Sequence, residues 1–316
     1  MVNADINLTP TATLFEVDSG SSASRNGAGG SFGKVTGRSW GSASECQAAI
    51  LLVHGLGAHS GWFEALARRL KVRNFFVLSY DLVGFGKRLK QQYFSPKQWL
   101  MDLNTAYGYL RQLVGDKPIY LIGNSMGSIV ALKGCPMLKP AGLALLSPGF
   151  EGHAQTFPLS YRVKAVIQAL ISPNDELALP YNLDLVTGDK DVRDWLSNDP
   201  EWRSAVPGRM LLDLLKITQE LRWSKLSVPC PTLLLTAGKD RVVDNQVNNR
   251  LFQRLACPSK RSRCFETAIH DLPLDPEVDE VAEEIAEWIG ETRPDKQTAP
   301  DTTPNTAQGF ISHTKR

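Results

Sequence analysis

Cysteine is scarce and scattered. Cys46, Cys135, Cys230, Cys257 and Cys264 are odd in number, widely spaced and never arranged as C-x-x-C. This excludes a disulfide framework and a cysteine-built zinc site, and fits free thiols in a reducing compartment. Long apolar runs are lacking too, since none approaches the roughly 20 residues a membrane span requires. Met1–Pro10 carries Asp5, no basic residue and no apolar centre, so it does not read as a secretory signal. The expectation is a soluble, cytoplasmic protein. Charge of one sign is also missing. The chain has 35 Lys and Arg against 33 Asp and Glu, a net charge of +2, which gives no reason to expect nucleic acid as a partner. What is present is a 42% hydrophobic fraction over 316 residues, enough to bury roughly three quarters of the unfolded surface in one domain, with or without an insertion.

Short apolar runs alternate with amphipathic stretches. Ala49–His54, Phe75–Tyr80, Ile119–Gly123, Leu143–Ser147 and Thr232–Thr236 are mostly rich in Leu, Ile and Val and bounded by Gly or Pro, as buried strands are. Ser262–Glu266 joins them by its place in the order. Ser95-Pro96 opens a helix with Trp99, Leu103, Ala106, Leu110 and Leu113 at helical spacing, and Asp275-Pro276 opens another with Val278, Val281, Ile285 and Trp288 on one face. Strand–helix alternation of this kind predicts an α/β fold with a mostly parallel, doubly wound sheet. Ser19–Ser31, dominated by Ser, Gly and Ala, reads as a flexible loop or hairpin insert. Glu291–Arg316, rich in Thr, Pro, Asp and Lys, reads as a disordered tail.

The chemistry lies in Gly123-Asn124-Ser125-Met126-Gly127, a G-x-S-x-G between a strand and the helical run Ser128–Leu132. A nucleophile elbow needs that context. The turn is so tight that residues two before and two after the serine must lack Cβ. A Gly-rich turn capping a helix with serine would give the same five letters, so the rest of the chain has to decide. His54-Gly55-Leu56-Gly57 follows the strand Ala49–Val53, where a loop amide can join the amide after the nucleophile in an oxyanion hole; this points to Leu56 and Met126. His54 itself reads as structural. Acid and base must follow the serine in the order Ser, Asp, His. His270 lies between the last strand and the Asp275-Pro276 helix, whereas His313 lies in the tail. Asp240 stands just beyond Thr232–Thr236, with Asp244 as its rival and Asp271 too close to His270 in sequence. The catalytic candidates are therefore Ser125, Asp240 and His270.

Together these pieces resemble the monoacylglycerol lipase and lysophospholipase group of α/β hydrolases, which is similar in turn to the serine aminopeptidases of the S33 type. The matching segments are Gly37–Trp40, Val53–Gly61, Tyr80–Gly86, Gly123–Gly127, Asn198–Pro200, Leu234–Asp244 and Ile269–Leu272. The chain departs from the group at Asn124, where the group has His, at Ser128, where it has Gly, and at Gly84-Phe85-Gly86-Lys87-Arg88, which replaces G-H-G-x-S. The resemblance implies acyl transfer from a small acyl ester, acylglycerol or lysophospholipid in type, through an acyl-serine and without metal or cofactor. A peptidase or thioesterase could use the same residues, and a non-catalytic binding module could keep the scaffold.

About eighty residues separate Ser147 from Thr232, too many for a simple connection, so an inserted helical cap is expected over the serine. The corresponding division is 1–36 as an N-terminal strand region, 37–149 with 229–290 as the core, 150–228 as the cap and 291–316 as the tail. Pro173–Pro200 within the cap reads as loops between short helices. Leu159, Val163, Val166, Ile167 and Leu170 form one apolar stripe, and Met210, Leu211, Leu214, Leu215 and Leu221 another. Most of these residues are expected to pack on the core. Val166, Leu170 and, in the loop after the first parallel strand, His59 are candidates for contact with substrate. The cap could also touch a membrane surface transiently.

Overall fold

The structure, a computed structural model, describes residues 11–18, 34–93 and 95–294. The Ser19–Ser31 segment and nearly all of the expected tail lie outside these residues. Strands β1 (Thr13–Asp18), β2 (Lys34–Trp40), β3 (Ala48–Val53), β4 (Phe75–Tyr80), β5 (Ile119–Asn124) and β6 (Gly142–Leu146) precede the insertion. Within it lie β7 (Glu176–Ala178) and β8 (Ala205–Pro207); β9 (Thr232–Ala237) and β10 (Lys260–Phe265) follow. The central sheet runs β1-β2-β4-β3-β5-β6-β9-β10. All its neighbours pair in parallel from β4 to β10, and β1 and β2 add an antiparallel edge.

Both faces of this sheet are buried, which is why its middle strands are continuously apolar rather than alternating. Along β3, Ala49, Leu51 and Val53 enter one core, and Ala48, Ile50 and Leu52 enter the other. Helices α2 (Pro96–Val114), α3 (Met126–Leu138) and α7 (Asn245–Arg254) cover the first face. Helices α1 (Glu64–Val72) and α8 (Val278–Thr292) cover the second. Strand β10 reads weakly as sequence because it is an edge strand. Its Arg261 and Arg263 stay near the surface and pair with Glu284 of α8.

Helix α2 starts where expected: Ser95 is its N-cap, with a reciprocal capping box to Gln98 and Pro96 at the first helical position. The last helix begins two residues later than the Asp275-Pro276 signal; the Asp275 carboxylate accepts the amides of Ile269 and Glu277. It also runs through Glu291 and Thr292, which corrects the expected start of the tail.

The insertion carries α4 (Leu159–Ile171), α5 (Lys190–Ser197) and α6 (Gly208–Trp223), with β7 and β8 as a short antiparallel pair. Neither that pair nor the position of α5 is legible in its Pro-, Asn- and Asp-rich stretch. The expectation that the first stripe packs on the core is wrong. Helix α4 buries Ala165 and Ala169 instead, letting Gly208 of α6 come close, while Leu159, Val163, Ile167 and Leu170 stay exposed. Of the second stripe, Met210 and Leu221 are buried.

Candidate active site

Ser125 occupies the turn between β5 and α3 with φ +51°, a left-handed conformation that an L-residue adopts only under constraint. Two contacts impose it. A Cβ on Gly123 would lie 2.4 Å from Gly127 O, and one on Gly127 would lie 2.0 Å from Val53 O. Only glycine lets strand and helix approach this closely. The turn is then pinned by Ser125 N–H to Leu146 O (2.8 Å) and by Gly149 N–H to Ser125 O (3.0 Å). Ser128, the departure from the group's glycine, donates its hydroxyl to Gly123 O at 2.7 Å and so satisfies a carbonyl inside the turn.

His270 follows β10 on a buried loop. Its Nε2 lies 3.2 Å from Ser125 Oγ and its Nδ1 2.8 Å from Asp240 Oδ2. Asp240 follows β9, and its other oxygen accepts the amides of Val242 and Val243 at 2.8 and 3.0 Å. A carboxylate held this way cannot turn from the imidazole. Burial lowers the pKa of His270, but the charge and hydrogen bond of Asp240, with the charge of Asp271, outweigh it, so the balance lies above the ordinary histidine value. The rival acid is spoken for: Asp244 caps α7, accepting the amides of Gln246 and Val247.

The loop after β3 is built around His54. Leu82 N–H donates to His54 Nε2 at 3.0 Å. An amide can only donate, so Nε2 is unprotonated and the proton sits on Nδ1, which donates to Gly55 O at 2.8 Å. Burial lowers the pKa of His54 to about 4, which keeps this neutral tautomer at neutral pH. Gly55 O and Leu56 N–H belong to one peptide unit and point in opposite directions. Holding the carbonyl therefore sets the direction of the Leu56 amide. Met126 N–H is the first amide of α3 and has no acceptor within the helix. Leu56, Ser125 and Met126 line one cavity of ≈ 160 Å³.

That cavity is walled largely by apolar side chains, among them Ile129, Phe150, Val166, Leu211, Leu214 and Val243. The insertion thus supplies Val166 from α4 and Leu211, Leu214 and Leu215 from α6. Leu170 is not in the wall; one helical turn beyond Val166 along α4, it is 72% exposed. His59 is not there either. It is buried between core and insertion, 2.7 Å from Asp199 Oδ2, and its Nδ1 accepts from Gly61 N–H at 3.0 Å. Neither residue lines the cavity. Glu151 and Arg162 also reach the cavity, where they pair with each other, and Arg222 stands 3.7 Å from the second oxygen of Glu151.

Several neighbours have partners that the sequence does not signal. Asn124 Nδ2 donates to Asp271 Oδ2 at 2.9 Å, behind the Ser125–His270 pair. Asp271 is buried, and loss of solvation raises its carboxyl to about 6 despite the nearby His270. Arg88, the other departure, forms a fully buried pair with Asp102 (2.7 Å) and also donates to Asp81 O. From the insertion, Tyr181 donates to Leu56 O at 3.0 Å. Among the described residues no cluster of His, Cys, Asp and Glu suited to a metal ion is found.

Known proteins resemble the chain in sequence and in fold. The chain is 24% identical over 246 residues to phospholipase YtpA of Bacillus subtilis, covering 74% of this chain and 92% of that protein. It is 26% identical over 248 residues to human monoglyceride lipase, covering 76% and 81%. In fold it is similar to the crystal structure of Paleococcus ferrophilus monoacylglycerol lipase, with a TM-score of 0.71, 22% identity and coverage of 80% and 97%. A soluble variant of the Saccharomyces cerevisiae monoglyceride lipase gives 0.67 at 19% identity, covering 82% and 92%. The family described as "Serine aminopeptidase, S33" matches residues 44–277, and the chain belongs to that family of α/β hydrolases.

Proposed function

We propose that this protein is a serine hydrolase that cleaves carboxylic esters, with lipid monoesters of the acylglycerol or lysophospholipid type as substrates. The observation that carries this reading is the chain of contacts from Asp240 through His270 to Ser125, opening into an apolar cavity. His270 Nε2 takes the proton of Ser125 Oγ as the oxygen attacks the acyl carbonyl. The carbonyl oxygen becomes an anion facing the Leu56 and Met126 amides, while Asp240 steadies the imidazolium. The tetrahedral centre collapses, the ester C–O bond breaks, and His270 gives its proton to the departing alcohol. Water then enters, loses a proton to His270, and releases the acid from the acyl-serine.

The names of the relatives, monoglyceride lipase and phospholipase, support a lipid ester. The family description favours a second reading, an aminopeptidase. Glu151, a carboxylate at the cavity, could serve a substrate ammonium, but it is engaged by Arg162 and Arg222, and this weighs toward the ester. The division into core and cap at 150 and 228 belongs to the same reading, with the cap walling the acyl cavity. The exposed Leu159, Leu170, Ile171 and Trp223 on the cap support contact with a lipid surface, and the five free thiols support a reducing, cytoplasmic setting. No helix among the described residues is long and apolar enough to cross a membrane.

The test is Ser125→Ala, assayed with a fluorophosphonate probe and with parallel panels of acyl esters and aminoacyl arylamides. Labelling should disappear, ester turnover should fall by several orders of magnitude, and the Tm should persist. Near-normal esterase activity in the variant would sink the assignment. Turnover by the unmodified protein confined to the arylamides would favour the peptidase.

A further inference from the structure

The loop that offers the Leu56 amide is held from two sides. On the core side His54 fixes the Gly55–Leu56 peptide, as described above. On the other side both contacts come from the insertion. The Tyr181 hydroxyl donates to Leu56 O at 3.0 Å, and Arg203 N–H donates to Gly57 O at 2.9 Å. Gly57 stands at φ +83°, and a Cβ there would lie 2.6 Å from Arg203 O, so loop and insertion approach as closely as backbone permits. The Arg203 guanidinium continues the clamp to Gly84 O at 2.6 Å, in the loop after β4.

Leu56 therefore sits between two peptide units gripped from opposite sides. The unit before it carries the Leu56 N–H proposed for the oxyanion hole, and the unit after it carries the carbonyl held by Tyr181. Two rotations at the Leu56 Cα separate these planes, so His54 aims the amide and the Tyr181 contact limits how far Leu56 can drift from that setting. Tyr181 is buried, and loss of solvation with the charge of Asp271 raises its pKa well above the ordinary tyrosine value, so its hydroxyl stays a neutral donor at any working pH. Its ring also lies 6.1 Å from that of Phe157 and forms part of the cavity wall, which places the donor beside bound substrate.

We infer that the cap, through the Tyr181 hydroxyl and the Arg203 amide, completes the mount of the oxyanion hole, so that the seating of the cap restrains the Leu56 N–H that His54 aims. Tyr181 is then a positioning residue. It acts through the Leu56 backbone and touches no reacting atom. This rests on the serine-hydrolase reading of Ser125. Its consequence is that a displacement of the insertion would loosen the oxyanion hole along with the cavity wall. An amide donor set to the oxyanion before reaction contributes to the transition state more than to the ground state. Removing the mount should thus lower kcat and leave KM nearly alone.

Tyr181→Phe keeps the ring and removes the bond. Tyr93→Phe is the control, since Tyr93 also ties core to cap, through a 3.2 Å hydrogen bond to Asp213 of α6, but touches nothing in the oxyanion loop. For Tyr181→Phe we expect kcat about 10-fold lower with KM within about two-fold, and affinity for an alkyl trifluoromethyl ketone, whose serine adduct places an oxyanion in the hole, reduced in proportion. Tyr93→Phe should keep kcat within about two-fold at a similar Tm. The inference is overturned if Tyr181→Phe keeps its kcat, or if Tyr93→Phe loses as much. Unmodified protein that reacts with a fluorophosphonate but cleaves no ester would refute the substrate class alone. The two variants would then be compared by labelling rate, with the same outcomes deciding. Protein that does neither would remove the oxyanion hole and both readings with it.

Discussion

At the residue scale, two aspartates four positions apart have separate tasks. Asp240 places one oxygen on His270 and the other on two amides, whereas Asp244 caps α7. Asp240→Asn should lower kcat by about 10⁴-fold with little loss of stability, because the imidazole then rests in the wrong tautomer. Asp244→Asn should retain activity, and Asp244→Ala should cost about 1 kcal/mol of stability as a lost cap. Turnover numbers and denaturant midpoints for the three variants check this, and equal activity losses at the two positions would refute the division of labour. Asp271 makes a different prediction. Its charge helps raise His270, so Asp271→Asn should move the acid limb of the kcat/KM profile to lower pH. The stability sign follows from linkage. The folded carboxyl titrates near 6 against 3.8 when free, so its burial destabilises the protein increasingly as pH rises between these values, and fully above 6. Asp271→Asn should therefore gain stability above pH 6, by at most about 3 kcal/mol, and gain almost nothing near pH 3. Chemical denaturation at the two pH values is the measurement.

At the element scale, the fit of β5 to α3 is steric and leaves no slack. Gly127→Ala would drive a methyl into Val53 O, at the end of the neighbouring strand that leads into the Leu56 loop. We expect a Tm at least about 5 °C lower and fluorophosphonate labelling at least about 10-fold slower, since strand, turn and loop must all shift. Gly108 is the opposite case. It lies mid-helix in α2, exposed, with nothing within 4 Å of an added Cβ. Gly108→Ala should stabilise by about 0.5–1 kcal/mol through helix propensity alone. Calorimetry of the pair separates glycine required by contact from glycine merely tolerated.

At the scale of the whole molecule, the insertion is amphipathic in a sense a helical wheel does not capture. Val166 and Leu170 share one apolar stripe of α4, yet Val166 lines the cavity and Leu170, one turn further along, is exposed. Val166→Trp should therefore shorten the preferred acyl chain by several methylenes, each worth roughly 0.8 kcal/mol of burial. Leu170→Trp should leave the chain-length profile unchanged. A series of esters from acetyl to dodecanoyl, read as kcat/KM, tests both. A shift with Leu170→Trp and none with Val166→Trp would place the acyl chain elsewhere.

Much of the core was legible because its signals are local. A continuous run of Leu and Val between glycines reads as a strand buried on both faces, and G-x-S-x-G at a strand end reads as a tight turn because no other residue fits the contacts at Gly123 and Gly127. The chain order of Ser125, Asp240 and His270 was equally plain. What the sequence could not supply depends on distance through space. Asn124 meets Asp271 across 147 positions, and Tyr181 meets Leu56 across 125. No periodicity or propensity encodes such a meeting, because sheet order and the docking of the insertion bring the partners together. The same reason explains His59 and Leu170. Each has the chemistry of a substrate contact, yet His59 faces Asp199 in the seam beneath the cap and Leu170 faces outward, since α4 packs on α6 through Ala165, Ala169 and Gly208. Sequence alone determined which residues could perform the chemistry, because bond angles and van der Waals contacts within a few residues decide that. Tertiary structure decided which of them look into the cavity, because that is set by how one layer packs on another.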